Sequence, residues 1–389
     1  MSDRIKRSAI ISLTVLLVGH FLIETTGHHY LYKTISMTLL EGRLGPSIQE
    51  YRAMPSREIS AWHPQPWPRS TRAEANRLTE SETDYHAQNQ SVSFLVIHHD
   101  SIIYESYWDG FNADSISNSF SMSKSIVGLL TGIAIDEGKI ENVDKPVYWY
   151  MPQYREGLGE ELTIKHLLTM SSGIDFDEHY INPFAFPAKA NYGDNLELLL
   201  CDYSVTEKPG ERFHYKSGNT QLLGHIISDV MRTSLSDMAT KHVWSKIGAE
   251  KFALWSLDHE DGMEKAFCCI NATARDFARI GKLYKDHGKW NGTVVVDSTY
   301  VAASIMPSGT QNLDGTVCNT YGYQWWLGHH AQSDFFFMRG IKGQYVLVSP
   351  QHDLVVVRLG RKRDVGSGEH PHPDDVYTYL EMGKRMIEE

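Results

Sequence analysis

Cysteine is scarce in this chain of 389 residues, which holds four, at Cys201, Cys268, Cys269 and Cys318. That number excludes a disulfide-dense scaffold, and the spacings contain neither C-x-x-C nor a zinc-ligand pattern. Adjacent cysteines such as Cys268 and Cys269 rarely bridge each other, which leaves Cys201 or Cys318 open to a bridge in an exported protein. Positive charge is also short. Thirty-seven Lys and Arg face 48 Asp and Glu, a net charge of -11, so no basic face is implied and general nucleic-acid binding is excluded. The 19 histidines include doublets at His28 and His29, His98 and His99, and His329 and His330. They form no H-E-x-x-H pattern and read as turn and surface residues, so no metal centre is expected. There is no internal repeat.

Long apolar runs are lacking except for one, Ser8 to Ile23, preceded by Arg4, Lys6 and Arg7. At about 1.5 Å per residue it spans somewhat less than a hydrocarbon core of about 30 Å. With no A-x-A site after it, residues 1–26 read as a cytoplasmic tip and an uncleaved membrane signal anchor. The basic flank keeps the N-terminus inside and places the rest outside, in the periplasm of a Gram-negative cell. Residues 27–90 are polar, with Pro64, Pro66 and Pro68, and read as an extended connector. The remainder suits an enzyme-sized body, because 41% hydrophobic and 22% charged residues are ordinary for a globular chain with a sizeable core.

Three clusters in that body carry chemistry. In SMSKSIVGLLTGIAIDEG, Ser121 and Lys124 stand three apart at the start of an apolar helix and share a face of it. Serine is a weak nucleophile until a neighbour takes its proton, which an ammonium cannot do. Burial among Ile126, Val127, Leu129 and Leu130, with the positive end of the helix nearby, lowers the lysine pKa and makes a neutral amine available. Taken alone, such a pair is more often a helix cap above a solvated lysine, since short S-x-x-K strings are common by chance. The hairpin Val92 to His98 and Ile102 to Trp108 just upstream makes this the first long helix after a sheet edge, and its free N-H groups suit an oxyanion.

The second cluster is KPGERFHYKSGNTQLLGHII, where Pro209 and Gly210 mark a turn and Leu222, Leu223, Ile226 and Ile227 show helical spacing. Tyr215 and Ser217 fall on the loop entering that helix, and a phenol beside a Ser/Lys pair can relay a proton. In the third, FFFMRGIKGQYVLVSPQHDLVVVRLG, the strands Phe335 to Met338, Tyr345 to Val348 and Leu354 to Leu359 follow one another. Gly340 and Gly343 lie between the first two, where glycine marks a bulge or close backbone approach to a ligand.

Together these clusters resemble the serine β-lactamase and penicillin-binding-protein superfamily, in which S-x-x-K, Y-x-N or Y-x-S, and a glycine-bearing strand converge. The resemblance extends through Thr163 to Gly173, Asn271 to Trp290 and Tyr321 to Trp326, about Ser91 to the C-terminus. It is nearest to class C-like esterases and to 6-aminohexanoate-dimer (nylon-oligomer) hydrolases. Here Tyr215, Lys216 and Ser217 stand for Y-x-N, and Met338, Arg339 and Gly340 stand where K-T-G would. The loss of K-T-G points away from β-lactams towards a neutral or differently charged ligand, with Arg339 or Lys342 free to supply an anion site.

The resemblance implies that Ser121 is acylated, Lys124 is its base and Tyr215 relays the proton. It implies an oxyanion hole from the backbone N-H groups of Ser121 and Ile341, and substrate contacts from Ser217, Gly340, Gly343 and Trp325. No metal or organic cofactor is needed. The expected fold class is α/β (α+β), an antiparallel sheet flanked by helices plus a mainly helical lobe. The early hairpin and late strands share one sheet, covered by the Ser121 helix and a C-terminal helix near Val376 to Ile387. A hydrolase domain at 91–389 divides into an α/β lobe, 91–143 and 290–389, and a helical lobe, 144–289. Tyr180, Phe184, Phe186, Tyr192, Trp325 and Trp326 are candidates for the cleft mouth or, as aromatics more often are, for the core. The expected function is cleavage of a small-molecule ester or amide through an acyl-enzyme. The alternatives are a penicillin-binding-like peptidase or weak β-lactamase, and a non-catalytic cell-wall or ligand-binding module.

Overall fold

The structure, a computed structural model, describes residues 3–364 and 366–388. Its centre is a six-stranded, wholly antiparallel sheet ordered Ser101–Tyr107, Ser91–His98, Leu354–Gly360, Gln344–Ser349, Ser333–Gly340 and Trp326–His330. The early hairpin and late strands thus lie side by side as expected. The hairpin turns at His99 and Asp100, both with positive φ (47° and 56°), the backbone a tight two-residue connection requires. The last strand begins only at Trp326, so Tyr321 to Trp325 form an approach to it rather than a strand.

Alternation along the strands splits the core into two layers, because successive side chains in a strand point to opposite faces. Leu95, Ile97, Val346, Val348, Val355 and Val357 belong to one buried cluster. Phe94, Val96, Tyr345, Leu347, Leu354 and Val356 belong to the other. The second face carries the C-terminal helix Asp374–Glu388, with Gly383 over Val356. The first face carries the helix Ala274–Lys285, not the Ser121 helix that was expected to cover the sheet. Gly281 explains the fit. A Cβ there would stand 2.8 Å from Val346 and 3.0 Å from Val348, so only glycine lets this helix lie so close. Helix 274–285 therefore sits with the sheet, although the expected division put it in the helical lobe.

Ser123–Asp136 is instead buried all round, from Ser123 to Ala134, as an apolar helix without a polar face must be. It packs on Ser217–Met231. On another side Tyr300 donates to the Gly128 carbonyl at 2.6 Å and lies where a Cβ of Gly132 would otherwise be. Ser123–Asp136 is thus held along its length by a helix on one side and Tyr300 on the other.

Residues 27–90 are not an extended connector. Helix Tyr30–Met37 and strand Ser56–Ile59 fold onto the body, because Ile48, Ile59 and Trp67 are apolar and enter the main core. Arg57 also donates to Glu264 at 2.5 Å. Around Pro68 and Ser70 the segment bonds Ile102 and shields the outer strand of the sheet. Strand Ser56–Ile59 opens a second sheet with Ala253–Ser256, Ile270–Ala272 and Ser117–Asn118. The N-terminal helix Asp3–Thr26 projects with exposed apolar side chains. An 18-residue window within Arg4–Thr26 has a mean hydropathy of 1.8 and no buried part. At about 1.5 Å per residue Arg4–Thr26 is about 34 Å long and able to cross a bilayer, more than Ser8 to Ile23 alone suggested. A signal sequence has the same properties.

Candidate active site

The second sheet sets up the reactive turn. Ser117–Asn118 pairs with Ile270–Ala272, and beyond the pairing Ser119 donates its N-H to the Ile270 carbonyl at 2.7 Å. Phe120 then takes φ +44°, a left-handed conformation that costs a bulky L-residue about 1–2 kcal/mol. It is held there by its N-H to Asn118 Oδ1 at 2.8 Å and by Ser119 Oγ donating to its carbonyl at 3.0 Å. The strained turn places Ser121 on the wall of a cavity of about 150 Å³. Asn118 and Phe120 belong to no motif, so their part in placing Ser121 was not read from the sequence.

One helical turn on, Lys124 is completely buried and its Nζ lies 3.0 Å from Ser121 Oγ. The amine donates to the Phe267 carbonyl at 2.7 Å, a partner that position in the sequence did not reveal. Burial pushes its pKa from 10.5 down to about 7, opposed by the negative charge of Glu178. The Tyr215 side chain lies next to Ser121. Burial raises its pKa, while the Ser121 hydrogen bond and the positive charge of Arg339 oppose that rise. The Tyr215 ring lies 5.1 Å from Lys124 Nζ and stacks on Trp326 at 5.2 Å. Arg339 caps the other side of this stack, its guanidinium 3.5 Å from the Trp326 ring centre. The aromatic beside the site is thus Trp326. Trp325, expected to touch substrate, is fully buried between Tyr284 and Phe336 because its side chain points to the opposite side of the chain.

Ser217 lines the cavity, and both its N-H and its hydroxyl are taken by Glu178, at 2.6 and 2.5 Å. Tyr180 donates to the same carboxylate at 2.7 Å. Glu178 lies in a loop between the first two motifs and had no sequence signal. Ile341 is on the cavity wall with Ser121. Gly340 and Gly343 do not line the cavity and are closely packed against backbone and a buried side chain. A Cβ at Gly340 would stand 2.3 Å from the Ser119 carbonyl, and one at Gly343 would stand 2.2 Å from buried Arg358. Arg358 donates to the carbonyls of Lys342 and Gly343 at 2.9 and 2.8 Å, fixing the loop that carries Ile341.

Of the other aromatics, Tyr180 and Tyr192 line the cavity, Phe184 is exposed beside it, and Phe186 is core against Phe176. Cys268 and Cys269 also line it and, against expectation, form a disulfide with each other. Cys269 has a left-handed backbone (φ +74°). Cys201 and Cys318 are free. Among the described residues no group of His, Cys, Asp and Glu is arranged to hold a metal ion.

An antiparallel sheet with helices on both faces, a helical lobe, and a Ser/Lys/Tyr cluster beside a cavity define a β-lactamase/transpeptidase-like protein. The chain belongs to the Beta-lactamase family, whose model matches residues 77–373. It is 28% identical over 301 residues to the 6-aminohexanoate-dimer hydrolase of Paenarthrobacter ureafaciens, covering 73% of this chain and 74% of that one. Among solved structures, a family VIII carboxylesterase matches with a TM-score of 0.64 at 16% identity, over 82% of this chain and 98% of that one. A class C β-lactamase from Rhodobacter sphaeroides matches at 0.57 and 17%, over 82% and 100%. The chain is thus a β-lactamase-fold hydrolase related to esterases and amidases.

Proposed function

We propose that this protein is a serine hydrolase that cleaves an ester or amide through a covalent acyl-enzyme. The observation that carries the reading is the placement of a buried amine, with a pKa near neutrality, 3.0 Å from a cavity-wall hydroxyl and 5.1 Å from the Tyr215 ring. Above about pH 7 Lys124 is neutral, and its lone pair takes the Ser121 proton as Oγ attacks the carbonyl carbon. The N-H groups of Ser121 and Ile341 stabilise the oxyanion. As the tetrahedral intermediate collapses, the scissile bond breaks, and Tyr215 passes a proton to the departing alcohol or amine and is reprotonated from Lys124. Water then attacks the acyl-Ser121 ester under the same base, releasing the acid and restoring the hydroxyl. Arg339 favours this relay because its positive charge eases proton release by Tyr215.

Among the described residues no Lys, Arg, Asp or Glu lines the cavity, which supports an uncharged acyl group. A fluorophosphonate probe tests the proposal. Mass spectrometry should find the adduct on Ser121, and Ser121→Ala should be unlabelled. Lys124→Ala should fold and lose turnover. Full p-nitrophenyl ester hydrolysis by both variants would rule the mechanism out.

A further inference from the structure

The cavity wall is built partly from the segment that follows the N-terminal apolar helix. That helix ends at Thr26, and four residues later Tyr30 donates its hydroxyl to the Pro183 carbonyl at 3.0 Å. The His28 ring meets the Phe184 ring edge-on at 5.4 Å. Thr34, Thr38 and Leu44 from this segment, with Ile181 and Pro183 from the facing loop, line the same cavity as Ser121. The end of the one bilayer-length helix among the described residues is therefore bonded to the mouth of the site.

Large apolar side chains are also exposed at the mouth and in the segment beside it. Ile181 and Leu44 are 98% and 97% exposed, more than any other large apolar side chain described. Leu40 follows at 77%, with Leu39 beside it and Phe184 on the opposite loop. A soluble monomer exposes such residues singly, whereas a cluster rimming a cavity marks a binding surface. Here the helix says what covers it. An anchor of about 34 Å with its end tied to the rim holds these side chains at the level where a bilayer changes from headgroup to acyl chain.

Resting on the serine-hydrolase reading above, we infer that the substrates are acyl esters of membrane-resident amphiphiles, taken from the lipid surface through this rim. The cavity has a volume of about 150 Å³. It holds the carbonyl and the first methylenes, while the rest of the chain stays among the rim side chains and the lipid. Ser121 Oγ forms the new ester bond, the bond from the acyl carbonyl to the lipid alcohol breaks, and that alcohol leaves with the relayed proton. Water then splits the acyl-enzyme into fatty acid and free Ser121.

The test uses the full chain in phosphatidylcholine vesicles. The variant Leu39→Asp/Leu40→Asp changes two rim residues that do not line the cavity. Two probes are compared, 4-methylumbelliferyl palmitate dissolved in the vesicles and water-soluble p-nitrophenyl acetate, with circular dichroism to confirm folding. The anchor keeps both proteins on the membrane, so a difference reads substrate access. The variant should lose at least tenfold on the palmitate ester while its acetate hydrolysis stays within twofold. Equal palmitate rates in variant and wild type, or a wild type that cleaves acetate but not palmitate, would overturn the lipid inference and leave the hydrolase intact. Absence of both activities and of fluorophosphonate labelling at Ser121 would overturn the hydrolase reading, and this inference with it.

Discussion

Replacing Lys124 by Met isolates the effect on which the chemistry depends. Met fills a similar volume in the same apolar surroundings and removes the titrating amine. Burial lowers the lysine pKa from 10.5 to about 7, a difference of about 5 kcal/mol between holding the ammonium in water and in the fold. The sign follows from proton counts. Between about pH 7 and 10.5 the unfolded chain binds a proton at this lysine that the folded chain does not, so stability rises with pH across that window. Below about pH 7 both states are protonated, and the full penalty is present and constant.

Wild type should therefore gain about 3 kcal/mol over K124M between pH 7 and pH 9.5, after the fixed packing difference cancels. Denaturant unfolding of both proteins at a series of pH values measures this, and other titrating groups drop out because the two chains share them. Kinetics supply the second readout. The wild-type kcat/KM for a soluble ester should rise tenfold per pH unit below about 7 and level off above it. K124M should fall by about 10²–10⁴ at the plateau. Parallel stability profiles, or an acid limb that bends only above pH 9, would mean that Lys124 is an ordinary ammonium and would refute the argument.

Three further outcomes are expected. Tyr215→Phe keeps the ring stacked on Trp326 and should leave the melting temperature nearly unchanged while kcat falls by about 10²-fold or more, read by steady-state hydrolysis. Glu178→Gln removes a negative charge that raises the Lys124 pKa, so the acid limb of kcat/KM should move to lower pH, and a shift upward would contradict the placement. Gly340→Ala forces a Cβ to within 2.3 Å of the Ser119 carbonyl. It should cost about 1–3 kcal/mol in thermal unfolding and lower activity by moving the nucleophile turn.

Residue pattern alone was enough wherever the interaction is local. Ser121 and Lys124 are one helical turn apart, so any helix through them brings hydroxyl and amine together. The apolar runs in 92–98, 345–348 and 354–359 put apolar side chains on both faces of a strand and are buried only between two layers. Packing between distant segments decided the rest. Trp325 and Trp326 are adjacent aromatics, and only the facing of that short segment sends one into the core and the other onto Tyr215. Gly281, not any apolar count, lets helix 274–285 take the sheet face expected for the Ser121 helix. Glu178, the Phe267 carbonyl and the folded 27–90 segment reach the site across gaps in sequence that carry no periodic signal. Their presence there depends on long-range burial and hydrogen bonding, which a chain reveals only once it is folded.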